Sequence, residues 1–256
     1  MNEQIMKNRN FMKCPAFADA MTESDQNKGV RHPPHGKQME GAVITLPPFD
    51  NVAVENSYQK LLDIRRSVRN YDEKVPMTQA QLAFMLYTAQ GIQSYRGEDD
   101  VATLRPVPSG GARHPFETYI AVRNVEGLEA GLYYYAPAAN IGEKKVAVTY
   151  LGPIEDYDNQ ISEALAGQKW AIRASVVLFF TCIPYRSEWR YKEAAQRVML
   201  IDLGHVGQNV MLSAASLGLG SCCMAAYVQA LCDKVLKVDG VDEYTVYAVS
   251  VGLQKH

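Results

Sequence analysis

The chain has 256 residues, 47% of them hydrophobic and 21% charged, with a formal net charge of −2. That length suits one large domain, or one domain with an arm, burying roughly three quarters of the extended chain's surface. The balanced charge excludes an electrostatic case for nucleic acid or an anionic membrane, and no run reaches the eighteen or so apolar residues of a membrane span.

Residues 1–50 read as an extended arm, with Pro15, Pro33, Pro34, Pro47 and Pro48 and little periodicity, and residues 51–256 as the domain. Met1 to Lys13 is polar and lacks the apolar core of a signal peptide. Five cysteines without a Cys-x-x-Cys pair fit a reducing compartment, so a cytoplasmic protein is expected. Leu61, Leu62 and Ile64 predict a short helix from about Tyr58 that runs into Arg65-Arg66-Ser67-Val68-Arg69. Thr78 and Gln81 have capping-box spacing ahead of Leu82, Met85, Leu86 and Ala89, which predicts a second helix stopped at Gly91. Glu117 to Val122 and Leu132 to Tyr135 read as strands. Ala174 to Cys182 is continuously apolar, the pattern of a strand buried on both faces at the sheet centre. Glu193 to Leu217 keeps helical spacing through Val198, Ile201, Leu203, Val206, Val210 and Leu212, almost 40 Å of helix at about 1.5 Å per residue. Gly218 and Gly220 end it. Ser221 to Tyr227 then reads as a strand or turn, Gln229 to Val238 as a helix and Tyr244 to Val251 as a last strand. The order predicts an α+β fold, a central and mostly antiparallel sheet flanked by helices.

Two short runs carry the chemistry. Arg65-Arg66-Ser67-Val68-Arg69 packs three guanidiniums and a hydroxyl into five residues, and guanidinium forks match phosphate oxygens in charge and geometry. Pro108-Ser109-Gly110-Gly111 offers bare backbone that can lie against a plane, its flanks stiffened by Pro108 and Pro115. Taken singly, the first also describes a solvated helix end and the second a turn. Metal binding is not expected: His32-Pro33-Pro34-His35 cannot be helical, and no Cys or His set has ligand spacing. There is no Walker loop and no Gly-x-Gly-x-x-Gly, so a nicotinamide would visit rather than occupy a Rossmann fold. Cys222-Cys223 sits in an apolar run where packing is expected. His205, on one helix face with Asp202, reads as a hydrogen-bonded core or interface histidine.

In order and spacing these motifs resemble the FMN-dependent nitroreductase superfamily, and most closely its SagB-like branch, which includes azoline-peptide dehydrogenases. The resemblance covers most of the chain. It rests on Ser24-Asp25-Gln26 with Pro33-Pro34, Leu46-Pro47-Pro48, Thr88-Ala89-Gln90-Gly91, the stretch Gly110 to Tyr119, Gly127 to Tyr133, Trp189-Arg190-Tyr191, and Asp202 to Asn209.

The resemblance implies a nitroreductase-like fold in an intertwined homodimer with FMN at the subunit interface. It places Arg65, Arg66, Ser67 and Arg69 around the FMN, with Arg65 and Ser67 at the phosphate and Arg69 toward the pyrimidine edge, unless Arg69 only salt-bridges Asp72 or Glu73. Pro108, Ser109, Gly110 and Gly111 would face the ring from the other subunit. Ala112-Arg113-His114 stands where the common pattern has an Asn, which puts Arg113 at the cofactor and leaves that contact unassigned. A backbone N–H to flavin N5 falls at Ala225 or Ala226, and Lys255 is a further candidate for the phosphate. Tyr191 and Arg190 occupy the place of a Lys-Tyr pair that handles the substrate proton. Arginine stays protonated, so Tyr191 is left to donate or orient. Tyr185, Arg186, Trp189, Arg190 and Tyr191 form either a lid over planar, electron-poor or acidic substrates or a surface loop. The implied activity is ping-pong hydride transfer from NADH or NADPH through FMN to a nitroaromatic or quinone-like acceptor. The alternatives are a SagB-like dehydrogenase oxidising a peptide or small molecule, and a flavin-binding protein without turnover.

Overall fold

The computed structural model describes residues 2–13, 21–137 and 145–255. Its frame is a seven-stranded antiparallel sheet in the order β1-β6-β5-β4-β7-β9-β8. The strands are β1 (Ala42–Thr45), β4 (Phe116–Val122), β5 (Gly131–Tyr135), β6 (Ala147–Gly152), β7 (Val176–Cys182), β8 (Leu219–Met224) and β9 (Tyr244–Leu253). A small hairpin of β2 (Ser94–Arg96) and β3 (Ala102–Leu104) stands apart. The α-helices are α1 (Glu3–Met12), α2 (Tyr58–Ile64), α3 (Gln79–Gln90), α4 (Tyr157–Ala164), α5 (Tyr185–Tyr191), α6 (Ala195–Ser216) and α7 (Gln229–Leu236).

Strand periodicity assigns the layers. Ile120, Val122, Leu178, Phe180, Val249 and Val251 meet α3 and α6 on one face, while Tyr119, Ala121, Val177, Phe179 and Ala248 meet α4 and α7 on the other. Successive side chains point to opposite faces. Because β7 is covered on both sides, its sequence is apolar except for Thr181, whose hydroxyl donates to Glu243. Among the described residues no helix is long and apolar enough to cross a membrane.

Thr78 and Gln81 make the expected reciprocal capping box, and Gly91 caps the other end of α3. The long helix is α over 22 residues, preceded by a 3-10 turn at Lys192–Ala194. Gly218, at φ +71, supplies the left-handed residue that stops it. Gly220 does not end the helix as expected; it lies inside β8.

The arm differs from an extended segment. It carries α1, and β1 pairs antiparallel with β6 at the sheet edge. Residues 14–20, with Pro15, lie outside the described residues. From Asp25 onward the arm lies on its own chain along α5: Gln26 N donates to Trp189 O at 3.0 Å, Trp189 Nε1 to Val30 O at 2.9 Å, and Tyr185 Oη to Asp25 at 2.8 Å. Further on, Lys37 pairs with Glu243 and donates to Tyr119 Oη at 3.0 Å.

The Trp189-Arg190-Tyr191 segment is a helix, not a surface loop. Arg186, Trp189 and Tyr191 are buried and only Tyr185 is exposed. The reason is Arg186, which reaches into the molecule to pair with Glu117 on β4.

Candidate functional site

The Arg65 to Arg69 run leaves α2 in an extended conformation and lies along β8. Val68 N donates to Ser221 O at 2.9 Å, and Ser67 bridges to Ser221. Backbone pairing therefore fixes the run while its side chains stay accessible: Arg66, Ser67 and Arg69 are exposed and Arg65 is half-buried. Arg69 does not pair with Asp72 or Glu73. Its guanidinium stacks on Trp170 at 5.4 Å, and Glu73 is taken by Arg123 and Arg173. The chain end joins the same edge, where Lys255 N donates to Asn70 O at 3.1 Å and Asp72 N to Leu253 O at 2.9 Å. The backbone of Lys255 is thus tied down beside the arginines. Among the described residues, no carboxylate forms an ion pair with Arg65, Arg66, Arg69 or Lys255. Ala225 and Ala226 follow β8 on the surface, and Ala226 O accepts from Gln168 Nε2 at 2.7 Å. Cys223, half-buried nearby, has its thiol held up at about 11 mainly by desolvation, so it is a packing residue and not a thiolate.

The Pro108 to Gly111 loop has an anchor that the sequence did not reveal. Asp202, buried on α6, accepts from Ser109 Oγ at 2.6 Å and from Gly110 N at 3.0 Å. Ser109 Oγ in turn accepts from His114 N at 3.0 Å. Gly111, at φ +57, packs under α5. A Cβ there would come within 2.5 Å of Tyr191 Oη and 2.8 Å of Arg190 Nε, so with the left-handed φ the position favours glycine, and a larger residue would push those two side chains away. Arg113 does not extend toward the loop's outer face: it is buried, stacks on Trp189 at 5.0 Å and donates to the carbonyls of Gly111 (2.9 Å) and Val101. His205 is exposed on α6, so within one chain it is not a core histidine. The burial of Asp202 depends on a loop some ninety residues earlier, which no local pattern signals.

The two runs sit at different heights on one helix. Asp202 holds the loop, whereas Arg66, Val68 and Ser221 share a small cleft with Met211 and Ala215. Nine to thirteen residues separate these contacts, about 14 to 20 Å along the axis at 1.5 Å per residue.

His114 gives the loop a pH signature. Burial first, and Arg105 second, hold its imidazole down to about 2 from an ordinary 6.5. A depressed histidine is neutral when folded and takes a proton when unfolded, so stability is present above the unfolded pKa and falls as pH drops below it. The expected loss from His114 alone is about 1.4 kcal/mol per pH unit below 6.5. His35, held at about 4 mainly by burial, acts in the same direction. Urea denaturation of wild type and His114→Asn from pH 7 to 5 checks this; parallel pH curves would show that His114 is not held neutral.

The Nitroreductase family model matches residues 62–253. The "Putative nitroreductase" of Methanocaldococcus jannaschii is 32% identical over 82% of this chain and 95% of its own length. The trifolitoxin-processing protein TfxB of Rhizobium leguminosarum bv. trifolii is 31% identical over 57% of this chain, and that match spans only 39% of the relative. The crystal structure of a "putative nitroreductase" from Anabaena variabilis superimposes with a TM-score of 0.64 at 25% identity, over 84% of this chain and 42% of that one. The fold and the match define an oxidoreductase. The chain belongs to the nitroreductase family.

Proposed function

We propose that the protein is an FMN-dependent oxidoreductase that works as a homodimer, with NADH or NADPH as transient electron donor and a small nitroaromatic or quinone-like molecule as acceptor. The observation that carries this reading is the edge formed by Arg65, Arg66, Ser67, Arg69 and Lys255. It is held by backbone pairing and has no carboxylate among the described residues to neutralise it. Such a donor set fits a phosphate monoester and a fixed cation at a ring edge. FMN, when bound, supplies reversible hydride acceptance.

Arg65 and Ser67 would hold the phosphate, with Arg66 and Lys255 adding charge around it, and Arg69 would sit at the pyrimidine edge. The N–H of Ala225 or Ala226 would orient the ring at N5. The homodimer is proposed from the family resemblance, in which the loop reaches the ring from the second subunit; in this chain the loop stands some 14 to 20 Å along α6 from the cation edge. Pro108, Ser109, Gly110 and Gly111 would then cover the ring face, and Tyr191 Oη beside Gly111 would donate to or orient the substrate.

A second reading, dehydrogenation of a peptide or small molecule, is favoured by the similarity to the trifolitoxin-processing protein. Arg190 weighs against it, since a guanidinium cannot accept the substrate proton.

The test is the visible spectrum of the protein with FMN, then with NADH or NADPH under anaerobic conditions. Bleaching that reverses in air is the expected result. Bound flavin that never bleaches would favour the dehydrogenase or a protein without turnover, and no flavin binding would overturn the proposal. Arg65→Ala is expected to weaken FMN binding by about 10- to 100-fold, the worth of a charge-assisted phosphate contact.

A further inference from the structure

Four guanidiniums gather between β4, β3 and α5, and among the described residues they have one paired carboxylate between them. Arg186 pairs with Glu117. Arg105 is buried and donates to Gln90 and to His35 O. Arg113 and Arg190 both lie against Gly111, one bonded to its carbonyl and the other packed on its Cα side. Of the other carboxylates near α5, Glu193 is exposed on the turn that follows and the rest are engaged elsewhere. Asp25 accepts from Tyr185, Glu188 from Gln196 Nε2, and Asp202 from the loop.

Two like charges beside one glycine repel, and burial first and Arg190 second hold the Arg113 guanidinium down to about 10. Their unused donors point to what is missing. Arg113 bonds through Nε and Nη2. Arg190 bonds through Nη1, to Gln26 Oε1 at 3.0 Å, and its Nε is buried with no partner among the described residues. Arg113 is buried and Arg190 half-buried, and each has an aromatic ring, Trp189 or Tyr191, but no carboxylate beside it among the described residues; a guanidinium drawn out of water is costly unless an anion completes it.

We propose that Arg113 and Arg190 form an oxyanion subsite beside the Gly110-Gly111 loop, which takes a carboxylate or phosphate group carried by the substrate. The proposal rests on the flavin reading of that loop and narrows it to acidic substrates. Gln26 is a positioning residue: its amide oxygen fixes one arm of the Arg190 fork, which gives the N-terminal arm a part in the site. A carboxylated acceptor and the 2′-phosphate of NADPH present the same chemistry, and the two are separable by experiment.

Benzoate and inorganic phosphate are titrated calorimetrically into the FMN-loaded protein and into the protein without added FMN. Wild type, Arg190→Gln, Arg190→Lys and Gln26→Ala are compared. At least one anion is expected to bind wild type, with its Kd raised about 10- to 100-fold by Arg190→Gln and partly restored by lysine. Gln26→Ala, which leaves the guanidinium present but looser, is expected to raise it less. Turnover identifies the source. A fall in the kcat/KM ratio of 4-nitrobenzoate to nitrobenzene assigns the group to the acceptor, whereas a fall in the NADPH to NADH ratio assigns it to the nicotinamide. If neither anion binds wild type, or binding is unchanged in both Arg190→Gln and Gln26→Ala, the subsite is refuted. Since calorimetry is read with and without FMN, failure of the flavin reading shows separately as absence of flavin absorbance.

Discussion

Glu117→Gln is expected to cost about 3 to 5 kcal/mol of folding stability, the range for breaking a buried ion pair from one side. The Glu117 and Arg186 side chains are 1% and 4% exposed, so water cannot replace the lost carboxylate. Oε2 also accepts from Tyr134 Oη at 2.6 Å. Arg186 Nη1 already lacks a partner among the described residues, so a neutral amide leaves a buried cation with even less compensation. Urea denaturation at pH 7 measures the loss, and the double variant Glu117→Leu, Arg186→Met is the control, because replacing both charges by apolar groups removes the penalty. A single substitution costing under about 1 kcal/mol would show that the pair is hydrated. Arg186 anchors the helix that also carries Arg190 and Tyr191, so the loss is expected to loosen the substrate side before the flavin edge.

What could be read from the sequence was whatever one segment decides alone. The capping box of Thr78 and Gln81 needs no tertiary partner, and the two-sided burial of β7 is written into Val176 to Cys182 as an apolar run interrupted only by Thr181. The long amphipathic pattern of α6 lasts through six turns. Short elements were lost. β1 is four residues that become a strand only because β6 offers an edge, and α4 is mostly polar, with Ile161 its single large buried side chain. α5 went unread because its tyrosines, tryptophan and arginines resemble a binding loop until Glu117 is known to lie beneath Arg186. The site divides in the same way. Arg65 to Arg69 and Pro108 to Gly111 stand out as runs, but Asp202, the group that holds the second, is an ordinary acidic residue in a helix until the chain folds.

Asp202→Asn tests that anchor. The carboxylate accepts three bonds from two residues of the loop, Ser109 Oγ and Gly110 N, the last reaching both oxygens at 3.0 Å. An amide offers one acceptor and turns a donor toward the others, so a loss of about 2 to 3 kcal/mol is expected at neutral pH, the scale of hydrogen bonds to a charged group. Faster hydrogen exchange is expected at the Gly110 and His114 amides, and weaker flavin binding with it. The pH dependence has a definite sign. Burial raises the Asp202 carboxyl above its ordinary 3.8, and the bonds from Ser109 and Gly110 offset this only in part. For an acid with a raised folded pKa, the contribution to stability is fully present below the unfolded value and is lost as pH rises through the folded one. The stability gap between wild type and Asp202→Asn should therefore be widest below pH 3.8, narrow through the acid range and stay level above it. A gap that widens with rising pH would mean that the loop's hydrogen bonds outweigh burial, and would make Asp202 a stabilised carboxylate rather than a buried one held at a cost.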